Sequence, residues 1–146
     1  IGREADPGAQ FSFWGGQNLM QGAIVLARRG DLDAALQSFA EGKARYSGIG
    51  GRSALATFES TLGLVLAEQG RPETAKELVA NARAELDTYQ ERWNEPVVLI
   101  AEGVLAAVLG DATAAAERLA LAAEVADAQG SHGIARRARA VAADSA

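Results

Sequence analysis

Apolar residues recur three and four positions apart through most of the chain, the spacing of amphipathic helices, and no stretch shows the strict alternation of a half-buried strand. Where the pattern lapses, glycine, proline, aspartate, asparagine and serine punctuate it. The result is about seven predicted helices: 7–29, 31–47, 52–69, 72–92, 95–109, 111–129 and 131–144. Each start has a local reason. Asp6 before Pro7 reads as a cap followed by proline at the first helical position, where its missing N–H costs nothing. Asp31, Asn94, Asp111 and Ser131 stand where a side-chain cap is expected. Arg71-Pro72-Glu73 does the same work through a preset φ and a negative charge near the helix N-terminus.

The stretch "LARRGDLDAALQSFAEG", residues 26–42, interrupts what would otherwise be one long helix. The same break returns at a spacing of 40, as Gly30, Gly70 and Gly110. At each of these a left-handed backbone can end one helix just before the next, at little cost to glycine. Small residues keep the same period on either side: Ala35, Ala75 and Ala115 after the break, Ala23, Gly63 and Gly103 before it, and Gly42, Ala82 and Ala122 further on. Larger apolar residues repeat as Phe39, Val79 and Leu119. Small residues thus recur where two helices must approach closely, and larger ones where their faces interlock. The implied fold is all-α, built from antiparallel helix pairs.

This pattern resembles the tetratricopeptide (TPR) repeat, most closely at Leu62-Gly63 followed by Gly70 and Ala75. The period of 40 exceeds the usual repeat of about 34 residues, and the first helices are mostly aliphatic where that family is aromatic. The resemblance implies a right-handed superhelix of helix pairs over 1–146 as one domain, with repeats at about 7–47, 52–92 and 95–129 and a capping helix at 131–144. The succession "FSFWGGQNLMQGAIVLARRGDLDAALQSFAEGKARYSGIGG", "LGLVLAEQGRPETAKELVANARAEL", "ERWNEPVVLIAEGVLAAVLGD" and "AAEVADAQGSHGIARRARA" is also similar to the C-terminal region of bacterial signalling ATPases. Those include cyclase-ATPase-TPR proteins and LuxR- or MalT-type transcriptional regulators. A chain that begins at Ile1, without methionine, is expected to be a piece of such a longer protein.

At 146 residues and 49% hydrophobic content the chain can bury a real core. The net charge of −5 is dispersed and offers no general attraction to phosphate backbones, so nucleic acid is not an expected partner. The absence of cysteine excludes disulfides and thiolate chemistry and fits a reducing cytoplasm. No apolar run approaches the ~20 residues that span a bilayer.

Catalytic chemistry finds little support. "SGIGGR", 47–52, is glycine-rich, but it joins two predicted helices and lacks the Lys-Ser/Thr ending of a phosphate loop. His132 has no second histidine or cysteine with which to share a metal or activate a nucleophile, and is expected as an exposed turn residue. Asp31 with Asp33, and Glu85 with Asp87, read as solvated helix faces. Trp14 and Trp93 are expected to fill core, as large aromatics at helical spacing usually do. No enzymatic activity, cofactor or metal is expected.

What remains is a surface. Residues 31–130 hold 8 basic and 16 acidic side chains, whereas the last helix carries Arg136, Arg137 and Arg139. In the register of the resembled repeat, the first helix of each pair lines a concave side, placing Met20, Ile24, Arg28, Ser60, Leu64, Glu68, Val97, Ile100 and Val104 inward. Ile24, Leu64 and Val104 would form an apolar strip for an amphipathic helix or extended segment. The implied function is a non-catalytic interaction or sensor domain of a signalling or transcription-regulating ATPase. The alternative is a stand-alone adaptor that binds a peptide or helix. Expected partners are a protein, a peptide or neighbouring domains, with self-association compatible and no membrane contact.

Overall fold

The computed structural model describes residues 7–145, all-helical apart from turns and loops. The elements are α1 (Pro7–Arg28), α2 (Leu32–Gly48), α3 (Leu55–Glu68), α4 (Pro72–Tyr89), a 3-10 turn (Arg92–Asn94), α5 (Glu95–Val108), α6 (Ala112–Ala128) and α7 (His132–Asp144). The chain divides into two compact units, Ile1–Ser53 and Ala54–Ala146. The first holds the pair α1–α2. In the second, α3 pairs with α4 and α5 with α6, while α5 also packs on α3 and α4, and α7 on α6 and α5.

The periodic glycines end helices as expected. Gly30, Gly70 and Gly110 have φ of +89°, +78° and +85°. The amide of each glycine returns to a carbonyl three residues back, and the next amide reaches five back, as in Gly70 N to Ala67 O at 3.2 Å and Arg71 N to Leu66 O at 2.8 Å. These paired bonds satisfy carbonyls that a helix end would otherwise leave open. A second left-handed series runs at the same spacing through Gly50 (φ +79°), Gln90 (φ +57°) and Gly130 (φ +74°), where each second helix gives way to the next pair. Gln90 hides this series from a search for glycine. Its amide Nε2 donates to the Asp87 carbonyl at 2.6 Å, which closes the end of α4 from the side-chain direction.

Only one of the four expected side-chain caps forms: Asp111 accepts from Ala114 N at 2.9 Å. Asp31 and Ser131 make no such bond. Asn94 turns inward instead. It is fully buried, its Oδ1 accepts from the Thr57 hydroxyl and its Nδ2 donates to Glu91 at 3.1 Å, so it ties the start of α5 to the start of α3. A cross-helix partner outcompetes the local amide once the residue is out of water. Pro72 holds the first turn of α4 and Glu73 its acidic start, as expected. The Asp6 cap lies outside the described residues.

Helix pairing follows a single register. A Cβ on Gly63 would stand 2.9 Å from Val79 Cγ2 and 3.2 Å from Ala75 O, and one on Gly103 would stand 2.7 Å from Leu119 Cγ and 3.3 Å from Ala115 O. Those are the small-residue partners that the sequence period pairs. In α1–α2 the closest approach lies two helical turns farther from the connection. There a Cβ on Gly42 would meet Gly16 O at 2.7 Å and Leu19 Cβ at 2.9 Å. Forty residues on from Gly16 and Gly42 stand Ala56 and Ala82, buried in one cluster with Leu86 and Val98. Around the Gly16–Gly42 crossing, Met20, Ala23 and Ala27 of α1 and Ala35, Phe39 and Tyr46 of α2 are buried. Ser38 Oγ donates to Leu19 O at 3.0 Å across the same pair.

Two stability predictions follow from this backbone. Alanine in a helix interior gains ~0.5–1 kcal/mol over glycine, and nothing lies within 4 Å of a Cβ at Gly22, so Gly22→Ala should raise the melting temperature. Gly42→Ala adds the same methyl against a backbone carbonyl and should instead cost ~1–3 kcal/mol. Equal melting temperatures in the two variants would refute the crossing. Gln90→Gly should be stabilising, because a left-handed non-glycine residue costs ~1–2 kcal/mol, more than one exposed side-chain bond returns. Urea denaturation of that variant measures the difference.

Candidate functional site

A groove of about 930 Å³ lies wholly in the second unit, between α6, α7 and the end of α5. Alanine is the strongest helix former, so α6 holds its shape with few bulky side chains. Its buried edge is Ala115, Leu119, Ala122 and Ala126. On the groove side Ala112, Ala116, Ala120 and Glu124 fall four apart and form one stripe. Arg139 and Ala142 of α7 and Ser145 just after it, three apart, form the opposite wall, and Ala107 and Gly110 close the end at α5. Small side chains on both walls leave room for a helix or another apolar body to approach the backbone closely.

Charge is confined to the rim. Asp127 accepts a hydrogen bond from the Arg139 guanidinium and lies 3.2 Å from His132 Nδ1. The Arg139 bond, and then that of His132, holds the Asp127 carboxyl below its ordinary value of 3.8. Glu124 lines the groove and makes no hydrogen bond or ion pair among the described residues. A separate network locks the frame behind it. Arg83 of α4 forks onto Glu102 of α5, with Nε to Oε1 at 2.7 Å and Nη2 to Oε2 at 2.9 Å, and lies 3.5 Å from Glu95. Arg118 of α6 approaches the same Glu102 at 3.7 Å. The Glu102 hydrogen bond raises the Arg83 pKa against the opposing effect of burial. Gln129 Nε2 donates to Arg92 O at 2.7 Å and joins the end of α6 to the 3-10 turn.

The residues expected to line a concave strip are placed differently. Leu64 and Val104 are only 6% and 7% exposed, and Met20, Ser60 and Ile100 are fully or almost fully buried. Ser60 spends its hydroxyl on the Ala56 carbonyl of its own helix at 2.7 Å. Ile24 and Val97 are half-buried, and Arg28 and Glu68 are exposed. The expectation of an open strip through Leu64 and Val104 is therefore corrected. α5 packs on α3, and apolar positions between them become core. The tryptophans are corrected in the opposite sense. Trp14 is 61% exposed, edge-on to Phe13 with ring centroids 5.2 Å apart, while Phe13 turns toward Tyr46 at 5.3 Å. Trp93 is 56% exposed because the 3-10 turn sends Asn94 inward in its place.

Ser47 and Gly48 end α2 and residues 49–54 join it to α3, His132 is an exposed first-turn residue of α7, Asp31, Asp33 and Asp87 are exposed, and Glu85 is half-buried. Among the described residues no cluster of His, Asp and Glu is arranged to hold a metal ion, and no helix is long and apolar enough to cross a membrane. No family model, curated protein or solved structure matches the chain. The groove itself was missed by sequence reading. Its signal was the alanine stripe of α6, which is also what a plain helix former looks like.

The rim pair yields a titration prediction. Because the folded state favours ionised Asp127 more than the unfolded chain does, the pair contributes at pH above the ordinary 3.8 and its contribution is lost as pH falls through the lower folded-state value. Arg139→Gln should move the Asp127 carboxyl titration upward, and His132→Ala should move it upward by less. Carboxyl-detected NMR titration measures both. An unchanged titration in the Arg139 variant would show that the pair does not form in solution.

Proposed function

We propose that this chain is a non-catalytic protein-interaction module of the helical-repeat kind, serving as a sensor or scaffold region of a cytoplasmic signalling or transcription-regulating ATPase. In this reading its helix pairs stack as a right-handed superhelix, and the working surface is the groove between α6 and α7 rather than a strip along the first helices. The observation that carries the reading is the groove of about 930 Å³ with alanines on its floor and, at its edge, Glu124, which has no ion pair or hydrogen bond among the described residues. Such a site excludes water over an apolar centre and offers one charge for orientation, the division of labour of a helix-in-groove interface. The repeated 40-residue register supports the repeat reading independently, since the same small-residue crossings recur at Gly63 and Gly103.

An amphipathic helical peptide with leucines on one face and lysines on the other serves as the probe. Fluorescence anisotropy should show saturable binding that weakens at least about tenfold in Ala120→Arg, the scale of a central contact. Glu124→Gln should weaken binding less, and mainly at low salt. Undiminished binding in Ala120→Arg would remove the groove from the function.

A further inference from the structure

We draw no further inference here: the strongest candidate, the small-residue face of α6 and α7 around Ala116, Ala120 and Ala142 in the second unit, belongs to the groove already described, and nothing in the structure shows what covers it.

Discussion

Two helices can approach until their backbones touch only where one of them has no Cβ, and the pairs of this protein are organised around such points. At Gly42 the neighbouring backbone carbonyl of Gly16 lies 2.7 Å from where a methyl would stand, and at Gly103 the Leu119 side chain occupies the same space. Each approach fixes the register of its pair, because a shift of one residue would bring a larger side chain into the contact. Leucine, valine and alanine on either side then interdigitate at interior density. The left-handed turns at Gly30, Gly70 and Gly110 serve that approach by reversing the chain in three or four residues.

Polar contacts enter where apolar packing cannot specify a partner. Asn94 and Thr57 are joined at the entrance of α5 and α3, and because Asn94 is fully buried its amide needs both Thr57 and Glu91 as partners. Arg83 and Glu102 add a planar, two-bonded clamp between α4 and α5, with Arg118 of α6 approaching the same carboxylate. Bidentate geometry in a partly buried site gives such a clamp more weight than an exposed pair. Asp127 with Arg139, by contrast, stands at the surface and serves to place α7 against α6.

The distribution of exposed and buried apolar residues separates frame from surface. First helices of the second unit are covered over most of their length, as α3 is from Leu55 to Ala67 except at Thr57 and Thr61. Their apolar character therefore belongs to packing. Apolar surface remains elsewhere, as Phe11 and Trp14 on α1 and as the alanine floor of α6.

Sequence alone determined the helices, their limits to within a few residues, the 40-residue period and the small residues that meet as Gly63 with Ala75 and Gly103 with Ala115. These are local or periodic properties, set by propensity, by the conformational freedom of glycine and by the spacing that puts residues on one face. Only the tertiary structure decided which face has a neighbour. Periodicity put Leu64 and Val104 on a common face but could not say that the face is covered, and it placed Trp14 at helical spacing without saying that its ring stands mostly exposed. Asn94 and Gln90 show the same limit at single residues, one drawn from a cap into a buried bond, the other taking a left-handed turn where glycine stands 40 residues before and after it. In each case the outcome depends on atoms distant in sequence, and the energy of covering a surface exceeds the local preferences that a sequence displays.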